Sequence, residues 1–474
     1  MMSLSRRGFL KGAAFSASSL LIGGCVTEEG YLKYPSVAKV APHLLSKNDK
    51  LRIAVVGVGG KGWSDWTPMF DHGEEIVALC DVDRGPVDRG LKYIQDKGKD
   101  PSKVATFSDY RKMLEKVKNI DAVVVATPDH IHGPAAISAM KLGYNVYVQK
   151  PLVRTIWEAR YFEKVAREVG VVTQMGNQGS AGSGLRRNVE VLQAGVLGNV
   201  TEVHVWTNRP IWPQGIARPE GSDPVPANLD WDSWLGTAPF RPFKKDVYHT
   251  FKWRGFFDFG TGAFGDMACH TMNLPFRGLR LGAVDRVECK MVEGKNLETY
   301  PSKSIVKLHY VARGSLPAVD LYWYDGNEKP KAEIMPQVVA TLGAVPNTGC
   351  LIIGDKGVMC STNDYGQQAY IALKGEEKMK AVQKHDACAE SVIPVTLPRA
   401  AGDNQDIEFV DACKGLVKAY SGVDHSVPIL ESMLVGCIAQ RVPGVLNWDT
   451  QVQKFDNDLA NQYLRPYIRT GWEF

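Results

Sequence analysis

The sequence predicts an α/β fold: a doubly wound parallel sheet followed by an α+β domain with a large, mainly antiparallel open sheet. The apolar run RIAVV, which begins at Arg52, enters a glycine-rich turn. From residue 51 to about 176, apolar strands alternate with helical stretches, as in parallel sheets covered by helices. Strands near 283–292, 303–312 and 318–324 then follow one another without helices between them, which is typical of antiparallel pairing.

In the first domain, 51–176, the strands are predicted at 52–57, 75–81, 120–126, 144–149 and 171–175, and the helices near 61–71, 84–97, 108–116, 131–142 and 155–169. The second domain, 177–445, is predicted to hold a helix at 183–195, strands at 200–208, 350–354 and 357–361, and helices at 404–420 and 428–441. We expect residues 26–50 to form a linker or an arm on the surface, and residues 446–474 to form a C-terminal tail.

Composition excludes some classes of function. The 474 residues are 23% charged with a net charge of +4, and no basic tract is present, so nucleic-acid binding has no support. Beyond the N-terminus no stretch of about 18 apolar residues occurs, so no transmembrane span is predicted.

The N-terminus predicts export. SRRGFLK at 5–11 matches a twin-arginine signal, and a short apolar stretch then runs into LIGGC, which resembles a lipobox with Cys25 as the lipidated residue. We therefore expect 1–25 to be a signal peptide and the protein to be periplasmic, with a lipid anchor if Cys25 is modified. The alternative is a disordered basic tail with an incidental cysteine. The other eight cysteines lack zinc-ligand spacing and are expected to be mostly free thiols.

The glycine-rich turn is a dinucleotide-binding fingerprint of the Rossmann type. Gly57 permits the tight turn, Gly59 lets backbone N–H groups approach a pyrophosphate, and Gly62 lets the helix pack closely on its strand. Asp81 ends the next strand, where an acid binds the ribose hydroxyls and repels the 2′-phosphate of NADP. This acid favours NAD as the cofactor. Because Arg84 lies nearby, NADP is not excluded. The predicted cofactor-binding residues are Gly57, Gly59, Gly60, Lys61, Gly62, Asp81, Thr127, Pro128, His132, Gln149 and Lys150.

Two strand ends carry further polar residues. TPDHIH at 127–132 is interpreted as helix capping and cofactor packing, with a metal pair from His130 and His132 as the less favoured alternative because no third ligand is evident. Lys150, in QKP, is placed to stabilise a developing alkoxide, or else is a surface lysine before a turn.

A third motif is GDMACHTMN at 265–273. On a helix, Asp266 and His270 would share a face with Asn273 nearby, and the imidazole would accept a hydroxyl proton. The alternative is a buried hydrogen-bonded pair.

Together, VGVGGKG, LCDVD, ATPDHIH, VQKP and GDMACH resemble the family of glucose–fructose oxidoreductase, inositol dehydrogenase and MocA (Gfo/Idh/MocA) over about residues 50–445. The resemblance implies that Lys150, Asp266 and His270 are the catalytic set and that the open sheet face pairs between subunits of a homo-oligomer. Gln149 departs from the glutamate of many members, and Asn273 stands where several polyol-oxidising members have aspartate.

The aromatic-rich segment from His204 to Phe264 predicts a carbohydrate ligand, because flat rings stack on the C–H faces of sugars. We expect most of these rings to serve packing. The predicted substrate-binding residues are Arg209, His249, Arg254 and Asn273.

The leading hypothesis is an NAD-dependent oxidoreductase that transfers hydride from a secondary hydroxyl of a sugar or glycoside, with tightly bound cofactor that is recycled in place. One alternative is a redox-neutral NAD-dependent glycoside hydrolase, in which oxidation, elimination, hydration and reduction follow one another. A second alternative is a non-catalytic lipoprotein that binds sugar and cofactor.

Overall fold

A computed structural model describes residues 31–474. The predicted signal peptide, Cys25 and the first part of the arm lie outside the described residues. The N-terminal domain is a six-stranded parallel sheet in the order β3-β2-β1-β4-β5-β6. Its strands are β1 Arg52–Val56, β2 Glu75–Cys80, β3 Ala105–Phe107, β4 Ala122–Val125, β5 Asn145–Gln149 and β6 Thr173–Gly176. Its helices are α1 Gly60–Asp71, α2 Arg84–Asp96, α3 Tyr110–Lys116, α4 Asp129–Met140 and α5 Ile156–Val169.

This sheet confirms the predicted doubly wound class. The strands β4 and β5 are buried along their whole length, as the unbroken apolar runs require. The strand order reverses between β1 and β4, which places the ligand crevice beyond the carboxyl ends of these strands. The short strand β3 was absent from the prediction because its three residues are only partly buried and carry no periodic signal.

The second domain is built on a ten-stranded sheet in the order β14-β13-β12-β11-β7-β10-β9-β8-β15-β16, in which β7 and β10 are parallel and the other neighbours antiparallel. Its strands are β7 Val200–Trp206, β8 Val284–Glu293, β9 Lys303–Tyr310, β10 Val319–Tyr324, β11 Gly349–Gly354, β12 Gly357–Ser361, β13 Ala369–Leu373, β14 Lys380–Ala381, β15 Val445–Asp449 and β16 Lys454–Phe455. Its helices are α6 Ser183–Gln193, α7 Trp231–Leu235, α8 Gly262–Thr271, α9 Asn273–Gly278, α10 Pro336–Leu342, α11 Gln405–Cys413, α12 Val423–Ala439 and α13 Asp458–Asn461. The large, mainly antiparallel sheet is thus confirmed.

Helix α8 carries the GDMACH motif and is fixed against the large sheet. Phe264 stacks on Trp323 of β10 with ring centroids 4.5 Å apart. Gly436 of α12 lies under the same ring, where a Cβ would come within 2.1 Å of Phe264. This packing sets the position of the polar side chains on α8.

Two predicted boundaries need correction. The helix predicted over 404–420 ends at Cys413, because Gly415 adopts φ +70° and turns the chain away. Part of the predicted tail, 446–474, is sheet: β15 pairs with β8, and its buried Leu446 and Trp448 alternate with residues facing outward. That five-residue alternation is too short to stand out from the sequence alone.

The described part of the arm lies on the surface, where the Trp157 indole donates to the carbonyl of Lys33 at 2.8 Å. Within residues 31–474, no helix is long and apolar enough to cross a membrane. The eight cysteines in this range are free thiols.

Candidate active site

The turn between β1 and α1 is shaped for a dinucleotide. Gly57 has φ +88°, and a Cβ there would lie 2.5 Å from the carbonyl oxygen of Ala126. A Cβ at Gly62 would lie 1.9 Å from the carbonyl oxygen of Gly57, so the helix can approach its strand only without a side chain. Gly60 begins α1 with Gly59 at its N-cap, and no side chain caps that helix end. The free N–H groups fit a pyrophosphate.

Asp81 follows β2 and closes this turn. Its carboxylate accepts hydrogen bonds from the backbone N–H groups of Val58 at 2.8 Å and Asp83 at 3.0 Å. Burial raises the pKa of Asp81, although these hydrogen bonds act the other way. One carboxylate oxygen accepts from both Val58 and Gly59, and the other, which accepts from Asp83, retains accepting capacity for a ribose hydroxyl.

A cavity of about 690 Å³ lies beside Asp81 and is large enough for an adenosine. Arg84 lines it, yet its guanidinium pairs with Asp88 at 2.8 Å instead of standing free for a 2′-phosphate. Asn228 and Asp230, from the long segment after β7, also line this cavity. The residues present therefore fit NAD.

The loops after β4 and β5 are fastened together by His132. Its ring nitrogens lie 2.8 Å from the carbonyl oxygen of Thr127 and 2.7 Å from that of Pro151. Burial lowers the pKa of His132 to about 4, so the ring is neutral and donates only one of these contacts. Pro128 caps α4, and His130 contacts the carbonyl of Trp234 at 3.0 Å, which corresponds to the packing interpretation of this motif.

Gln149 ends β5 and donates to the carboxylate of Asp65 on α1 at 2.9 Å. Lys61 reaches the same carboxylate at 2.5 Å. Burial raises the pKa of Asp65 to about 6, against the opposing effect of Lys61. An acid is thus present beside position 149 although the sequence has an amide there, because helix α1 supplies it.

Lys150 and Asp266 form a buried ion pair across the crevice. The ammonium lies 2.9 Å from the carboxylate oxygen and donates at 2.9 Å to the carbonyl of the same residue. Arg254 approaches the carboxylate at 3.2 Å. Burial acts to raise the pKa of Asp266, but Lys150 and Arg254 outweigh it and the pKa is lowered. Burial likewise acts to lower the pKa of Lys150, and Asp266 outweighs it, so the pair stays charged.

His270 lies one helical turn beyond Asp266 and is 4% exposed. Burial, reinforced by the charge of Lys150, lowers its pKa to about 3, so the imidazole is neutral at physiological pH. Its Nδ1 is buried and has no hydrogen-bond partner among the described residues. Asp266 does not orient this ring, since its carboxylate is taken by Lys150 and Arg254. A neutral imidazole beside an ammonium can accept a proton from a hydroxyl that the ammonium binds.

Three polar residues near this pair were not predicted. The ring of Tyr365, from the loop after β12, meets the His270 ring edge-on at 5.2 Å. Asn177, directly after β6, is fully buried with both side-chain atoms unpartnered among the described residues. Asp129 accepts from Thr261 at 2.8 Å, and burial raises its pKa to about 7. Asn177 and Asp129 each follow a parallel strand, and that position could have signalled them, whereas no such signal marks Tyr365.

Two predicted substrate residues lie elsewhere. Asn273 begins α9 and is 1% exposed; its amide nitrogen donates to the Ser180 hydroxyl at 2.9 Å, and its amide oxygen accepts from Arg277 at 2.8 Å. His249 lies 3.4 Å from Asp83, at the cofactor side of the crevice. Helical spacing predicted the helix face on which Asn273 lies but not its hydrogen-bond partners, Ser180 and Arg277.

The remaining substrate candidates are closer to the predicted rim. Arg254 packs over Trp253 and Phe251, at 4.4 and 4.5 Å from the ring centroids, and Phe251 is 43% exposed. Burial raises the pKa of Tyr365, and the charge of Arg209 acts in the opposite direction, so Arg209 is near the ring that contacts His270. Most other aromatic side chains of the segment form a buried cluster, in which Trp231 and Trp234 stack at 4.6 Å.

Fold and crevice together define the class of NAD-binding oxidoreductases with a Rossmann domain. Residues 51–177 match the model of the oxidoreductase family with an NAD-binding Rossmann fold, and residues 190–279 match that of its C-terminal α/β domain. Over these two stretches the chain matches the Gfo/Idh/MocA family.

A glycosyl hydrolase family 109 protein of Shewanella amazonensis is 32% identical over 165 residues, which cover 33% of this chain and 36% of that relative. A protein of the same name from Shewanella pealeana is 33% identical over 164 residues, with the same shares covered. The chain thus spans about a third of the length of the curated relatives it matches.

Solved structures share the fold across both domains. The WlbA dehydrogenase of Bordetella pertussis, in complex with NADH and UDP-GlcNAcA, has a TM-score of 0.57 at 16% identity, covering 85% of this chain and 99% of that one. An inositol dehydrogenase homologue of Azotobacter vinelandii, complexed with NADH and myo-inositol, has a TM-score of 0.56 at 17% identity, covering 87% and 100%.

Proposed function

We propose that the protein is an NAD-dependent oxidoreductase that acts on a secondary hydroxyl of a sugar or glycoside. One observation carries this proposal: Lys150 is held charged by Asp266, and one helical turn beyond Asp266 the neutral His270 has an Nδ1 without a partner among the described residues. The resemblance of the fold to structures holding NADH with a sugar nucleotide or an inositol supports the substrate class.

The chain's own residues divide the work of the oxidation. His270 takes the proton of the hydroxyl, and the ammonium of Lys150 donates to the oxygen as negative charge develops on it. Asp266 holds the ammonium in place and keeps it charged. Bound NAD⁺ supplies the acceptor for the hydride from the same carbon, so that the carbon–oxygen bond becomes a carbonyl.

The long segment after β7 supports tight cofactor binding. Asn228 donates to Asp83 at 2.8 Å, and the backbone N–H of Asp230 donates to the carbonyl of Val82 at 2.8 Å. These contacts fasten the segment over the end of β2, beside the adenosine cavity. A segment fastened at the wall of this cavity should slow the release of a bound cofactor, which suits a protein that recycles its NAD in place.

A redox-neutral glycoside hydrolase is the second candidate, favoured by the family 109 relatives. Oxidation at C3 would acidify the C2 proton, the glycosidic substituent would be eliminated, water would add, and the ketone would be reduced by the hydride stored in the first step. This sequence consumes no net oxidant. It would use the same Lys150 and His270 at its first and last steps.

One experiment separates these functions. The protein, purified without chelators or denaturants, is incubated with a panel of glycosides while free sugar release and nicotinamide absorbance are followed together. Persistent reduced cofactor or exchange with a second sugar supports the oxidoreductase, and sugar release without net absorbance change supports the hydrolase. A 3-deoxy analogue turned over at the rate of its parent would contradict oxidation at C3.

The double variant Lys150→Ala/His270→Ala tests the non-catalytic alternative. Sugar binding that persists while turnover is lost supports an enzyme, whereas unchanged turnover removes both residues from the mechanism. A wild-type protein that binds both sugar and NAD but never reduces the cofactor supports the binding lipoprotein.

Export and assembly are part of this proposal. We infer from the sequence that the twin-arginine route delivers the folded protein to the periplasm, that Cys25 is lipidated, and that the open sheet pairs in a homo-oligomer. Arg6→Lys/Arg7→Lys should retain the protein in the cytoplasm on cell fractionation. Cys25→Ser should release it from the membrane fraction, and sedimentation of the purified protein reports its oligomeric state.

A further inference from the structure

A second, smaller cavity lies away from the catalytic pair, and it is lined by three arginines. Its volume is about 200 Å³, and it is enclosed by the start of α5, the residues before α8, the end of α12 and the chain at 462–467. Arg154, Arg441 and Arg465 line it, whereas Lys150, Asp266 and His270 do not.

Arg441 is held in a fixed plane without an acidic partner. Its guanidinium lies 3.9 Å from the ring centroid of Phe257 and 3.6 Å from that of Tyr463. Because rings cover the guanidinium faces, its N–H donors are left along the edge of the plane. No carboxylate of residues 31–474 forms an ion pair with it.

Arg154 is also incompletely satisfied. One terminal nitrogen donates to the carbonyl of Phe257 at 2.7 Å, while its Nε is buried and has no partner in the described chain. The nearby buried acid, Glu158, accepts from the hydroxyl of Thr155 at 2.8 Å and acts on Arg154 only through the electrostatic field, without a direct ion pair. The charge of Arg154 contributes to lowering the pKa of Arg441, after the larger effect of burial, so the two guanidiniums are close enough to repel each other.

The negative charge around the cavity is small. Asp258 is the one carboxylate among the lining residues, and it already pairs with Arg241 outside the cavity. Two partly buried guanidiniums without a described carboxylate in direct contact are costly to hold together, and an oxyanion between them would relieve this cost.

We propose that this cavity binds a small oxyanion, namely a phosphate, sulfate or carboxylate group, at the edges of Arg154 and Arg441. The volume is below that of sites for drug-sized ligands, so it admits a free anion or the anionic end of a sugar acid or sugar phosphate. Tyr300, Tyr463 and Phe257 supply the apolar walls that strengthen such a contact by excluding water. Arg465, which is exposed, lies at the entrance.

The test uses the full-length protein saturated with NAD, so that the pyrophosphate site is filled. Inorganic phosphate is titrated at constant ionic strength, with chloride as the replaced anion, and the Tm is recorded. We expect a saturable rise of about 2 °C or more, which Arg441→Gln and Arg154→Gln abolish. Arg167→Gln, at an exposed arginine paired with Glu163 on the same helix α5, is the matched control and should keep the full response.

Parallel titrations with acetate, glucuronate and glucose 6-phosphate identify the source of the anion. A response to phosphate alone indicates a free oxyanion, and a response confined to the sugar derivatives indicates an anionic carbohydrate, provided that Arg441→Gln removes it. No saturable response to any probe, or an equal response in Arg441→Gln and wild type, would overturn the proposal.

If the glutamine variants do not fold, crystals of the wild-type protein soaked in selenate decide the question. An anomalous selenium peak within hydrogen-bond distance of both Arg154 and Arg441 supports the site. A cavity without a peak, in crystals that bind selenate elsewhere, contradicts it.

Discussion

Replacing Lys150 by methionine tests the centre of the proposed mechanism. The side chains of Lys150 and Asp266 are 13% and 9% exposed, and their charged atoms are 2.9 Å apart. Removing one partner of a buried ion pair costs about 3–5 kcal/mol of stability. Because Arg254 still contacts the Asp266 carboxylate, we expect the low end of this range, a loss of about 3 kcal/mol. Loss of an oxyanion donor should lower kcat by about 10²–10³, or roughly 3–4 kcal/mol of transition-state stabilisation.

The assay combines three measurements on NAD-loaded protein: chemical denaturation, affinity for NAD, and the single-turnover rate of nicotinamide reduction with a reactive glycoside. Lys92→Met is the control, since that lysine forms an exposed ion pair on α2 and should change none of them. If Lys150→Met keeps kcat within about threefold of wild type while NAD affinity is unchanged, the assigned role of Lys150 is wrong.

Four further outcomes follow from the geometry. Because the pKa of His270 is lowered to about 3, the ring stays neutral and kcat/KM should not fall between about pH 7 and pH 5. Burial of the neutral ring begins to cost stability only as the pH drops below 6.5, the ordinary pKa of histidine, and this cost grows until the pH reaches about 3. The pKa of Asp129 is raised to about 7, so the protonated carboxyl stabilises the folded protein at low pH, and this stabilisation is lost as the pH rises through 7. Asp129→Asn should therefore increase the free energy of unfolding at about pH 8 by about 1–3 kcal/mol, measured by denaturant titration. Gly62→Ala should destabilise by about 2–3 kcal/mol and weaken NAD binding, measured by calorimetry, whereas Gly85→Ala, whose Cβ would meet nothing closer than 3.4 Å, should not. Asn228→Ala should speed NAD release about 2–10-fold in stopped-flow displacement.

Each of these outcomes can fail separately. A loss of kcat/KM with an apparent pKa near 6.5 would show that His270 is not buried in neutral form or is not the base. Equal pH dependence of stability in Asp129→Asn and wild type would remove that carboxyl from the acid titration. An unchanged NAD off-rate in Asn228→Ala would mean that the segment after β7 does not retain the cofactor.

The sequence predicted the crevice better than the substrate rim, and the reason is geometric. Lys150 and the glycines follow parallel strands, whose carboxyl ends meet at one edge of the sheet, so local pattern fixes their neighbourhood. Asn273 was placed by helical spacing. That spacing gives the face of a helix but does not show that Arg277 donates to the Asn273 side chain. Tyr365 approaches His270 from a loop of the second sheet, and no local signal in the sequence links two such distant positions.

Because Gln149 on β5 donates to Asp65 on α1, a substitution at one of these positions requires a matching substitution at the other. Introducing the glutamate that many relatives carry at 149 would set two carboxylates about 3 Å apart, with only Lys61 to neutralise them. A graft of the common motif into this chain must therefore exchange both positions at once. By the same logic, relatives with an amide at the strand end are expected to carry their acid on the neighbouring helix, which offers a way to sort them from sequence.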